Sequence, residues 1–229
     1  MKDKNTVALH VAKDFMCSGT SVFLGDGSST FYVGLQTLIP KSQITIWTNH
    51  IAFAHQFALH ASEESSELRG TTVLLAGGEV DCDLMMTWGD KAEEFAEHYG
   101  GKAQNIILSV RCLFSDRGPA GMEQRSLSVK QAAIRGGLKK GVKVIFVADY
   151  TKLSTKYTKE PLLFPSHADW AQVISQDNVF VVTSGDPGAD QRWRAVSSPN
   201  SPTQWYEHHR FILNCAMNTQ GKPKRFIQV

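Results

Sequence analysis

Val22-Phe23-Leu24-Gly25-Asp26-Gly27-Ser28-Ser29-Thr30, followed by Phe31-Tyr32-Val33-Gly34-Leu35-Gln36-Thr37-Leu38, reads as an apolar strand running through a small-residue turn into an amphipathic helix. Such a passage places the strand end beneath a helix N-terminus, where unpaired N–H groups and the positive end of the dipole attract anions. Gly25 and Gly27 permit a tight turn and close approach of a ligand, while Ser28, Ser29 and Thr30 add hydroxyl donors. The same residues also suit an ordinary turn in which Ser29 or Thr30 caps the helix. The loop matches neither the dinucleotide glycine fingerprint nor the lysine-bearing P-loop, so its neighbours must decide.

Working outward, Val7, Ala8, Val11, Ala12 and Phe15 recur at helical spacing and predict an opening helix that ends near Cys17-Ser18-Gly19. Residues 44–47, 72–76, 105–110 and 142–148 are short runs rich in β-branched residues, suited to buried parallel strands. Helical patterns lie between them at Ile51 to His60, Trp88 to His98 and Leu127 to Leu138. The alternation predicts an α/β fold, a mostly parallel central sheet with helices on both faces. In such sheets ligands bind beyond the carboxyl ends of the strands. There the sequence places Thr48-Asn49-His50, Gly77-Gly78-Glu79 and Asp149-Tyr150-Thr151-Lys152. Each has a plain explanation as a helix cap, a glycine turn or a solvated ion pair. Taken together, small and polar residues with hydroxyl, amide and ammonium donors end four successive strands, which suits a small anionic, hydroxylated molecule such as a sugar phosphate.

Composition narrows the classes. The chain has 229 residues, 42% hydrophobic and 20% charged, the range of an ordinary globular protein with room for one large domain. A net charge of +2 without a basic stripe argues against a dedicated nucleic-acid surface. Cys17, Cys82, Cys112 and Cys215 are scattered without metal or redox spacing, and no run approaches a membrane span or a signal peptide. A cytoplasmic protein with free thiols, no membrane partner and no cofactor is expected. His50, His55 and His60 recur every five residues and spread around a helix instead of facing one metal.

In the order and spacing of these segments, residues 5 to 176 resemble the effector-binding domain of DeoR-type bacterial transcriptional regulators, which shares its fold with ribose-5-phosphate isomerase and glucosamine-6-phosphate deaminase. The resemblance rests on the opening helix, the loop from Val22 to Thr30, Thr48-Asn49, Gly77-Gly78-Glu79, Val129-Lys130 on a helix, and Val147-Ala148-Asp149-Tyr150-Thr151-Lys152. It implies a ribose-5-phosphate-isomerase-like fold in which the loop Gly25, Asp26, Gly27, Ser28, Ser29, Thr30 holds a phosphate. Thr48, Asn49, Gly77, Gly78, Lys130 and Lys152 would then line or brace the pocket. Two departures stand out: Gly25 replaces the aspartate that usually opens the loop, with Asp26 one residue later, and Ser109-Val110-Arg111-Cys112-Leu113 replaces a glycine-alanine-aspartate-glycine stretch. Arg111 is either a bidentate anion clamp or a surface residue. DeoR-type regulators carry a winged helix-turn-helix upstream, whereas this chain begins at the helix that opens the effector domain, so no direct DNA binding by this chain is expected.

Three functional readings follow: a sensor of a small phosphorylated metabolite, a sugar-phosphate isomerase or related enzyme, and a scaffold with a vestigial pocket. An isomerase needs a carboxylate beside the sugar carbons. None lies in Ser109 to Leu113, and Asp116, Glu123 and Glu79 read more simply as surface acids, which favours the sensor. Residues 1–185 are read as the binding domain and 186–229 as an extension packed on it, with homo-oligomer formation expected. The tail interleaves Trp193, Trp205, Tyr206 and Phe211 with Arg192, Arg194, Arg210, Lys222, Lys224 and Arg225. That composition suits packing onto the main body better than binding of single-stranded nucleic acid.

Overall fold

The computed structural model describes residues 2–38, 43–62, 70–114, 118–149, 152, 162–163, 178–183, 212–217 and 223–225. The expected alternation of strands and helices is present. Helix α1 (Lys2–Phe15) leads into β1 (Ser21–Leu24), α2 (Ser28–Gln36), β2 (Thr45–Thr48), α3 (Ile51–Ala61) and β3 (Thr72–Leu75). A hairpin, β4 (Glu79–Asp81) and β5 (Met86–Trp88), precedes α4 (Asp90–Gly100) and β6 (Asn105–Ser109). Then come β7 (Cys112–Phe114), β8 (Gly118–Gly121), α5 (Gln124–Leu138), β9 (Lys143–Ala148), β10 (Leu162–Leu163) and β11 (Val179–Thr183), with β12 (Ile212–Met217) and β13 (Pro223–Arg225) last.

Among the described residues, eight strands form the main sheet in the order β13-β12-β11-β9-β6-β1-β2-β3, parallel throughout except for β13. From β1 the chain first builds outward through β2 and β3; β6 then returns to the other side of β1 and the sheet grows through β9 and β11. The boundary between β1 and β6 is therefore the topological switch point, where adjacent connections leave in opposite directions and open a crevice.

Both sheet faces are buried, and the strand residues divide by their period of two. Phe23, Ile106, Leu108, Val144, Phe146 and Val181 face α4 and α5 with Ala92, Ala96, Val129 and Ala133. Val22, Leu24, Ile107, Ile145, Val147 and Val182 face α1, α2 and α3 with Val7, Ala8, Val11, Val33 and Phe53. Helices thus cover both faces, as the alternation predicts.

The differences from the sequence reading are local. Trp88 belongs to β5, paired opposite Glu79, and Gly89 at φ 85 turns the chain before α4 begins at Asp90. Two small sheets, β4-β5 and β10-β8-β7, occupy segments in which the sequence reading placed no strand. Val179–Thr183, passed over in the sequence reading, is a fully integrated parallel strand beside β9. Within the tail, β12 pairs in parallel with β11; Trp193, Trp205, Tyr206, Phe211 and the basic residues Arg192, Arg194, Arg210 and Lys222 lie outside the described residues.

Candidate functional site

A cavity of about 450 Å³ lies at the switch point. Adjacent strands β1, β6 and β9 deliver its wall: Asp26, Gly27 and Ser28 follow β1, Ser109, Val110 and Arg111 follow β6, and Lys152 follows β9. The end of β8 adds Gly121, the β8–α5 connection Met122 and Glu123, α5 adds Ser126, Leu127 and Lys130, and the β4–β5 turn adds Leu84.

The turn is held from below. Gly27 is the N-cap of α2 at φ 116, a conformation that favours glycine, and a Cβ there would collide with Ser109 Oγ. The Thr30 hydroxyl donates to the Gly27 carbonyl at 2.8 Å, and the Ser109 hydroxyl donates to the Asp26 carbonyl at 2.7 Å, bridging the crevice. Among the described residues no side chain caps α2, and helix geometry leaves its first N–H groups facing the turn without an intrahelical acceptor. The cap reading of Ser29 or Thr30 is thereby excluded.

Asp26 does not confront the site with bare negative charge. Its Oδ2 is 3.2 Å from Lys130 Nζ and accepts the Ser126 hydroxyl at 2.7 Å, while Oδ1 accepts Asn49 Nδ2 at 3.3 Å. Asn49 in return accepts the Asp26 N–H at 3.1 Å and donates to the Thr87 carbonyl at 3.2 Å. Asp26, Asn49 and Lys130 are all buried, so the ion pair is screened little by solvent. Lys130 also reaches Ser109 Oγ at 3.5 Å.

Lys152 supplies positive charge from the far side. Its ammonium donates to Ser29 Oγ at 3.0 Å, and its backbone N–H to the Asp149 carbonyl at 3.0 Å. Burial is the main force pushing its pKa down to about 8; Asp149 opposes this, and the nearby cations Lys4, Lys130 and Arg111 add to it. Four cationic side chains therefore converge on one small region.

Of the residues selected from sequence, Asp26, Gly27, Ser28, Arg111, Lys130 and Lys152 share the cavity wall. Gly25 lies under it, its N–H bonded to the Ile107 carbonyl and its Cα close to Leu108. Ser29 and Thr30 are buried behind the wall. Thr48 and Asn49 act as braces: the Thr48 hydroxyl donates to the Leu24 carbonyl at 2.7 Å and accepts the His50 N–H at 3.0 Å. Gly77 and Gly78 connect β3 to β4 away from the cavity lining, Gly78 at φ 129 pressed against Trp88. Tyr150, Thr151 and Asp116 lie outside the described residues.

Ser126 was missed, although its position four residues before Lys130 puts both on one helix face. His50 heads α3; burial pushes its pKa down to about 4, with Asp26 opposing and Lys130 contributing, and its Nδ1 has no partner among the described residues. Among those residues no group of three or more His, Cys, Asp or Glu is placed to hold a metal ion, and no helix is long and apolar enough to cross a membrane.

A parallel α/β sheet with a polar, cation-lined crevice at its switch point is an architecture of small-molecule binding domains. The chain belongs to the DeoR C-terminal sensor domain family, whose model matches residues 1–183. No curated protein sequence matches it significantly. Similar solved structures include the tetrameric eIF2B-beta2-delta2 complex from C. thermophilum, 8% identical with a TM-score of 0.46 over 69% of this chain and 46% of that one. Others are eIF2B beta from Chaetomium thermophilum (8% identical, TM-score 0.46, 71% and 47% covered) and the Pyrococcus horikoshii OT3 translation initiation factor eIF-2B (11%, 0.44, 72% and 50%). This chain spans about half the length of each.

Proposed function

We propose that this sensor domain binds a small phosphorylated metabolite, a sugar phosphate, in the cavity between β1, β6 and β9, and that occupancy of the cavity is its regulatory signal. The observation that carries the reading is the pairing of a helix N-terminus whose N-cap is a glycine with the ammonium groups of Lys130 and Lys152 in one cavity. The Asp26 charge is already balanced by Lys130, and Lys152 stands on the cavity wall with its ammonium on Ser29 Oγ, at the first turn of α2. In this reading the first N–H groups of α2 and the Ser28 hydroxyl take phosphate oxygens and Lys152 supplies the ammonium. Ser126 and Glu123, across the cavity, meet sugar hydroxyls. A volume of about 450 Å³ suits a ligand of that size.

Melting-temperature measurements across phosphorylated sugars and their unphosphorylated counterparts test this. A phosphorylated sugar should raise the melting temperature by several degrees through linkage, and its parent sugar should not. Lys152→Met should weaken binding at least tenfold, and Gly27→Ala should abolish it, because a Cβ occupies the space of Ser109 Oγ at the mouth of the turn. Equal response to phosphorylated and plain sugars, or none to either, overturns the reading.

A further inference from the structure

We propose that Lys4, on the first helix, is a further anion-directed residue of this cavity and the contact through which cavity occupancy is felt by α1. The inference rests on the phosphate-site reading above. Lys4, Ala8, Val11 and Phe15 fall on one stripe of α1, and the last three are buried in the core. The periodicity thus puts a lysine where packing alone calls for an apolar residue. Its ammonium donates to Ser28 Oγ at 3.0 Å, the first residue of α2 and part of the cavity wall.

A hydroxyl that accepts from an ammonium keeps its own proton to donate, so Lys4 orients Ser28 as a donor toward an anion in the cavity. Lys4 also stands close enough to Lys152 to weaken that residue's hold on its proton, so the two charges repel in the empty site. A bound dianion turns this repulsion into shared attraction. Ligand binding and the Lys4–Ser28 contact then favour each other, and the first turn of α1 tightens when the cavity fills.

The test uses the full 229-residue chain and inorganic phosphate, with chloride at matched ionic strength as control. Affinity is read from the rise in melting temperature, and hydrogen exchange of residues 2–8 is followed with and without saturating phosphate. Lys4→Met should weaken phosphate binding about three- to tenfold, the effect of one partly screened charge. Lys4→Arg should restore affinity to within about twofold, and Lys13→Met, an exposed lysine on the same helix, should leave it unchanged. Exchange in residues 2–8 should slow with phosphate in the wild type and not in Lys4→Met. Wild-type affinity in Lys4→Met, with binding lost in Lys152→Met, overturns the role of Lys4 and leaves the phosphate site standing. Exchange indifferent to phosphate overturns the coupling to α1. Absence of phosphate binding in the wild type overturns the site itself and this inference with it.

Discussion

The Asp26 carboxylate engages Lys130, Ser126 and Asn49 at once, which makes it a keystone of the crevice more than a ligand group. Removing one partner of a buried ion pair strands the other, so Lys130→Met should destabilise the fold by about 3 kcal/mol. The double variant Asp26→Asn/Lys130→Met should cost less than the sum of the two single changes, a coupling that urea unfolding of all four proteins reads directly. Lys152 acts differently, since its charge is the variable one. With its pKa pushed down to about 8, it loses its proton in the empty cavity as pH rises through that value, and a bound anion favours the protonated form. Phosphate affinity should therefore rise from about pH 6 as a phosphate monoester gains its second charge, and fall above pH 8. Calorimetry near pH 8.5 in buffers of different ionisation enthalpy should show proton uptake on binding. A profile that stays flat in the wild type, or an alkaline limb that persists in Lys152→Met, would refute this assignment.

Among the elements, α5 links stability and site most directly. Glycines on both helices let α5 press against α4: a Cβ on Gly136 of α5 would collide with the Glu97 carbonyl, and one on Gly100 of α4 would meet the backbone of Ala133. Gly136→Ala should therefore destabilise by about 1–3 kcal/mol through overpacking, despite the better helix propensity of alanine. Its other face carries Ser126 and Lys130 into the cavity, so the change should leave phosphate affinity per folded molecule within about twofold, checked by titration well below the melting temperature. The strand–turn–helix unit around Gly27 was legible because its signals are local: an apolar run, two glycines and a helical repeat within a few residues. The β7–β8 hairpin was not, because Gly118-Pro119-Ala120-Gly121 carries the composition of a turn and forms a strand only through partners on Cys112–Phe114 and Leu162–Leu163. Thr48 and Asn49 were selected as site residues by their place at a strand end, yet their side chains turn toward Leu24 and Asp26. Spacing fixes which edge a residue reaches; only the packed neighbours fix which way it faces.

For the whole molecule, folding buries a titratable histidine beside the same ion pair, and this ties global stability to acidity. His50 has a pKa pushed from 6.5 down to about 4, first by burial, with the Lys130 charge adding and Asp26 opposing. Between those values the unfolded chain binds the proton and the folded protein does not, so stability falls as pH drops from 6.5 and the loss levels off near pH 4. This group contributes up to about 3 kcal/mol, fully present above pH 6.5. Carboxylates titrate in the same region, so the decisive quantity is a difference between two proteins. Asn at position 50 keeps a polar side chain suited to the first position of α3 and cannot titrate. Urea unfolding of wild type and His50→Asn at half-unit steps from pH 7 to pH 4.5 should give free-energy curves that converge as the pH falls, because only the wild type loses the histidine contribution. Curves that run parallel over that range would mean that His50 takes up its proton in the folded protein as readily as in the unfolded chain, and that the crevice beneath the cavity is wetter than its packing implies.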